Sequence, residues 1–252
     1  MEEDFVRLVL DQMADVQAEH SALELSVSDS GTMIVSGPVA FSIGHDDHTV
    51  SDSYHVEIHI PDDYPGSPPI VYETEGKIPA EFGHFMQAGN FCLGAPVEVR
   101  RAFAQHRSLL GFINQQVIPY LFSYSFKREH GRLPFDDLHH GFVGLLQYYK
   151  EHFCTEFIPT LKLLKCLADN FAPPLSPCPC ESGLRLQECH GPKLDELRPH
   201  YPPEGFEAEL REMIKQLRRE GILFPEGSVM PKRMLKQQRR RLQNQRGSKR
   251  RK

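Results

Sequence analysis

The sequence predicts an α+β fold: an N-terminal helix, an antiparallel meander, a run of later helices and a small cysteine-rich knuckle. Three observations predict it. Phe5, Leu8, Val9, Met13 and Val16 recur at helical spacing within residues 4–20. Ser53 to Ile60 alternates strictly, with Tyr54, Val56, Ile58 and Ile60 on one face. Beyond residue 108 the apolar residues return to a helical period.

Taken in order, Ser21 to Val27 alternates as a short strand after the first helix. Gly31 and Gly37 then punctuate, and Met33 to Ile43 reads as one strand or two. Pro61, Pro65, Pro68 and Pro69 interrupt pairing, because proline lacks the N–H a ladder needs. Ile70 to Tyr72 reads as a short strand. Consecutive strands joined by short turns favour antiparallel pairing. Gly76 to Pro96 is irregular, but Phe82, Phe85, Phe91 and Leu93 give it apolar anchors. Helices are expected over Ser108 to Phe122, Phe142 to Phe157, Leu161 to Asn170 and Glu204 to Glu220. The expected organisation is a main domain over 1–170, a linker over 171–177, a cysteine module over 178–192, a helical extension over 193–230 and a tail over 231–252.

The chain has 252 residues, 40% hydrophobic and 25% charged, which suits a globular protein with a packed core. No apolar run approaches the ~20 residues that span a bilayer. The N-terminus, MEEDFVRLVL, begins acidic and lacks the basic region of a secretory signal. A cytoplasmic location and no membrane partner are therefore expected. The net charge of −5 is unevenly placed. Eleven Lys and Arg and no acids occupy Pro231 to Lys252, so the preceding 230 residues carry −16.

Three of the six cysteines lie within twelve residues, in Pro-Cys178-Pro-Cys180-Glu-Ser-Gly183-Leu-Arg-Leu-Gln-Glu-Cys189-His190-Gly. Cys178, Cys180, Cys189 and His190 are four soft or borderline ligands that suit a tetrahedral zinc ion. The Cys178/Cys180 pair supplies one edge, the adjacent Cys189 and His190 the other, and Gly183 permits the turn between them. The intervening residues have too little apolar content to fold without a staple. The string resembles the SEC-C motif, found at the C-terminus of the translocase motor and in many bacterial proteins. That motif reads C-x-C, eight residues, then C-C or C-H. Ser182-Gly183 also matches, and Glu181 stands where the family usually has its first glycine. The resemblance implies structural zinc and protein interaction, not catalysis.

The main domain carries a second resemblance. Ile60-Pro61-Asp-Asp-Tyr64-Pro65-Gly-Ser-Pro68-Pro69, following the helix and meander, is similar to the P-x-x-Y-P segment of the ubiquitin-conjugating enzyme fold. Gly89-Asn90-Phe91-Cys92-Leu93 stands where that family has G-x-[IV]-C-L, whose cysteine carries a thioester. Over roughly residues 3 to 155 the resemblance implies a transferase. It would receive a ubiquitin-like modifier on Cys92 from an activating enzyme and pass it to an amine of a target protein. The family's oxyanion-stabilising Asn lies eight residues before the cysteine; here that position is His84, an imidazole able to donate a hydrogen bond. Asn90 and His106 are alternatives. A buried core cysteine is the competing reading of Cys92. Cys154 and Cys166 fall on apolar helical faces and read as core. The zinc motif favours a prokaryotic source, where such relatives are associated with anti-phage defence.

His139-His140-Gly141 reads either as a pair of metal ligands or as a helix start. Lys232, Arg233, Lys236, Arg239, Arg240, Arg241, Arg246, Lys249, Arg250, Arg251 and Lys252 form a basic arm. Such arms contact nucleic acid through phosphates, remain solvated, or pair with acidic surfaces, including this chain's own body. No aromatic interleaves them, which argues against base stacking. The alternative to an enzyme is thus a non-catalytic adaptor on the same fold, binding a protein or nucleic acid through zinc module and tail.

Overall fold

The computed structural model describes residues 2–135, 141–237 and 240. It is α+β, with one four-stranded antiparallel sheet in the order β1-β2-β3-β4 and several helices. The chain divides into two compact units, Met1–Asp137 and Leu138–Lys252.

In the first unit, α1 (Glu2–Glu19) buries Val9, Met13 and Val16, the inner stripe of its helical repeat. Strands β1 (Glu24–Val27), β2 (Met33–His45), β3 (His48–His59) and β4 (Ile70–Glu73) follow as a meander. Register is set by pairs such as Leu25↔Val35, Val39↔Tyr54 and Ile58↔Val71, which place one apolar set on the inner face. Gly37 interrupts that face because an added Cβ would run into the carbonyl of Ala22. Beyond β4 come α2 (Pro96–Gln105), α3 (Leu109–Phe112), a π turn over Ile113–Val117 and α4 (Ile118–His130). Pro119 has no N–H to give the preceding turn, a natural place for the helix to loosen. The expected helix over 108–122 thus continues to His130 with a π turn inside it.

Gln12 ties these pieces together. Its Oε1 accepts from the hydroxyl of Tyr64, in the proline-rich segment with its cis Tyr64–Pro65 bond, and from the amide of Leu109 at 2.8 Å.

The second unit holds α5 (Gly141–Phe153), α6 (Phe157–Ala168), α7 (Gly191–Leu197), α8 (Pro203–Arg219) and α9 (Glu226–Val229). Its core gathers Tyr149, Phe153, Leu161, Leu164 and Leu167 with Phe206, Leu210, Met213 and Ile214. A main domain ending at 170 therefore runs past the division at 137. The apolar faces of α5 and α6 are covered by α8 and α7, while the first core closes on residues up to Phe126.

Among the described residues no helix is long and apolar enough to cross a membrane.

Candidate functional site

The irregular stretch after β4 contains a small hairpin that carries Cys92. Phe85 bridges Phe91, the Met86 amide donates to Asn90 O at 2.8 Å, and Gly89 turns the chain at φ 85°. The Phe91 amide donates to Val71 O at 2.8 Å, hanging the hairpin on β4. At its open end the Cys92 amide donates to His84 O at 2.8 Å. The Tyr120 hydroxyl of α4 donates to the same carbonyl at 2.8 Å, and its ring stacks on Phe91 at 4.1 Å. The two residues singled out in the sequence are thus cross-strand neighbours. His84 packs its ring against Phe82, with centroids 4.6 Å apart. Cys92 is half-buried, and burial pushes its thiol above the ordinary range despite a hydrogen bond from the Gly94 amide. Asn90 lies in the hairpin turn, and His106 follows α2.

The cysteine module of the second unit brings Cys178, Cys180, Cys189 and His190 together, with one ligand atom from each within 4.8 Å of the others. Cys178 Sγ and Cys180 Sγ are 3.3 Å apart, and Cys180 Sγ and Cys189 Sγ 3.5 Å. His190 Nδ1 stands 3.2 Å from Cys178 Sγ and 3.1 Å from Cys189 Sγ. A tetrahedral ion with bonds of ~2.0–2.3 Å needs edges of about 3.6–3.8 Å, so a small expansion of this cage fits one ion. His190 Nε2 sits 2.8 Å from Phe153 O, which orients Nδ1 toward the sulfurs. Burial raises the Cys178 thiol. At Cys180 burial acts the same way, but hydrogen bonds with Ser182 and Cys178 outweigh it and favour the thiolate a cation requires. These four residues could hold a metal ion.

Local sequence explains the module. Cys178 N donates to Leu184 O at 2.9 Å and Leu186 N to Ser176 O at 2.8 Å, a short ladder closed by Gly183 at φ 82°. Glu181 is also left-handed, at φ 64°, where a glycine would be unstrained.

Other clusters went unseen in the sequence. Asp52 lies on the inner face of β3, yet accepts from Tyr54 and Ser125 at 2.8 Å each and from Arg128 at 2.9 Å, and pairs with Lys77. Burial opposes its charge, but these donors hold its carboxyl well below the usual range. In the second unit Glu209 is buried in α8 and accepts from Tyr149 at 2.6 Å; burial pushes its carboxyl up to about 7. Cys154 corrects its reading as core: it follows the last residue of α5 at φ 51° and is exposed. Cys166 is half-buried on α6.

His139 and His140 lie outside the described residues, as does most of the basic arm. Its first residues fold back on the second unit. The Lys232 amide donates to Asp169 Oδ1 at 2.7 Å and its ammonium sits 4.0 Å over the Phe171 ring. Arg233 pairs with Glu204 at 2.9 Å. Comparison with family models, with curated proteins and with solved structures finds no match for this chain.

Proposed function

We propose that the chain is a conjugating transferase that carries a ubiquitin-like modifier as a thioester on Cys92. The observation that carries this reading is the Cys92 N–H to His84 O bond, which seats a thiol beside an imidazole-bearing residue at the end of an antiparallel sheet. The Cys92 thiolate attacks the modifier's thioester carbonyl on its activating enzyme; a new C–S bond forms and the enzyme's thiolate leaves. An amine of the target protein then attacks that carbonyl, releases Cys92 and gives up a proton. His84 is assigned the hydrogen bond to the developing oxyanion, where the resembling family uses Asn. Because burial raises the thiol, the first step accelerates as pH rises.

We assign zinc to the Cys178, Cys180, Cys189 and His190 cage as a structural clip, since four protein ligands close its coordination. A cytoplasmic setting and a role in anti-phage conjugation accompany this reading as its proposed context.

The test is incubation of the full chain with a cognate activating enzyme, modifier and ATP. A reducible adduct is expected, lost in Cys92→Ala and converted to a reductant-stable ester in Cys92→Ser. No adduct with the correct partners overturns the enzyme. The second reading, a non-catalytic adaptor, is favoured by the raised Cys92 thiol and then stands. Elemental analysis of reduced protein tests the ion: one equivalent of zinc is expected, and its absence overturns that assignment.

A further inference from the structure

The six cysteines differ in what surrounds them. Cys92 and Cys166 are half-buried, and burial raises both thiols. Cys178, Cys180 and Cys189 belong to the metal cage. Cys154 alone is exposed, and it is not solitary: Lys193 Nζ lies 3.1 Å from its Sγ.

The pair is held from both sides. Lys193 Nζ also donates to His152 O at 2.6 Å, and His152 Nε2 stands 3.1 Å from Lys193 O. The ammonium therefore sits at the C-terminal end of α5, where a helix favours a cation. It also reaches the Cys154 sulfur, which itself faces Glu151 O at 3.3 Å. An open depression of about 390 Å³, lined by Lys150, Glu151, Cys154, Thr155 and Glu156, gives small molecules access to the sulfur. Thiols that solvent reaches are those that oxidants meet first.

We propose that Cys154 and Lys193 form an oxidative cross-link, a sulfenamide made by peroxide. The Cys154 thiolate attacks a peroxide oxygen; the O–O bond breaks, and a sulfenic acid and water result. Lys193 gives one proton to solvent, and its amine then attacks the sulfur. An S–N bond forms, the S–O bond breaks, and hydroxide leaves as water with the proton the amine gives up. One thiol, one amine and one hydrogen peroxide yield one sulfenamide and two waters. A thiol reductant reverses it by attacking the sulfur and expelling the amine.

The cross-link joins the α5–α6 turn to α7, three residues beyond the metal-binding His190. It covalently doubles the tie that His190 Nε2 already makes to Phe153 O.

The test treats the full, metal-loaded chain with about one equivalent of hydrogen peroxide and maps peptides by tandem mass spectrometry. The expected product joins the Cys154 and Lys193 peptides, lacks two hydrogens and disappears on reduction. Lys193→Arg keeps the cation but lacks a nucleophilic amine, so the product is expected to vanish while folding, checked by circular dichroism, is unchanged. Cys154 sulfinate with Lys193 unmodified overturns the proposal. So does a disulfide from Cys154 to another cysteine, or an equal yield of the linked product in Lys193→Arg.

Discussion

The amide of Cys92 and the hydroxyl of Tyr120 converge on one oxygen, the carbonyl of His84, at 2.8 Å each. This convergence couples the thiol to its neighbour through the main chain. The burial that accompanies it raises the Cys92 thiol. Labelling with iodoacetamide, resolved by peptide mass, is expected to modify Cys154 first at neutral pH. Cys92 should react appreciably only above the ordinary thiol range. Equal labelling of both at neutral pH would contradict the burial described for Cys92.

Asp52 is expected to be the most acid-sensitive point of the first unit. Its folded-state carboxyl is depressed, so its contribution is present above about pH 4 and is lost as pH falls through the folded value. Asp52→Ala removes acceptors from Tyr54, Ser125, Lys77 and Arg128 at once. A loss of roughly 2–4 kcal/mol is expected by urea denaturation at pH 7. The deficit should shrink toward pH 2.

Glu209 has the opposite sign. Its folded carboxyl is raised to about 7, so its contribution is full below the unfolded value near 4.3 and declines as pH rises through 7. The second unit should therefore lose stability between about pH 4.5 and 7. Glu209→Gln is expected to flatten that slope in thermal melts. An unchanged slope in the variant would assign the proton to another group.

In the metal cage, Cys180→Ala or His190→Ala is expected to cut bound metal from one equivalent to less than about one tenth, read by elemental analysis. Chelation should raise amide exchange across 174–200 and leave β2 and β3 protected. Loss of protection in those strands on chelation would contradict two separate cores.

Glu181 occupies left-handed backbone at φ 64°. Glu181→Gly is expected to relieve up to about 1 kcal/mol of strain, since the exposed pair with Lys162 contributes little. A zinc-competition titration should show equal or tighter metal binding in the variant.

The strands were legible because a half-buried sheet writes its period into Tyr54, Val56 and Ile58. The cluster was legible because its four candidate ligands span thirteen residues. The main-chain pairing of Cys92 with His84 was not legible, since nothing in spacing says that a loop doubles back. Long-range polar clusters were not legible. Asp52 resembles a surface residue until Ser125 and Arg128 arrive from α4, and Glu209 looks like solvent-facing charge until Tyr149 covers it. The division at 137 was hidden for a related reason. The apolar stripes of α5 and α6 declare that they are buried but not against what; only the contacts with α8 decide it. Helices α2 and α7 were not anticipated; a proline in the first turn of each, Pro96 and Pro192, is a helix-start signal too weak to stand alone.

Each unit closes on its own core, which predicts two separately meltable parts. A calorimetric trace should then resolve into two heat-absorption peaks, one answering to metal and one indifferent to it. Each variant would carry an internal standard: the peak of the untouched unit calibrates concentration, buffer and scan rate for the other.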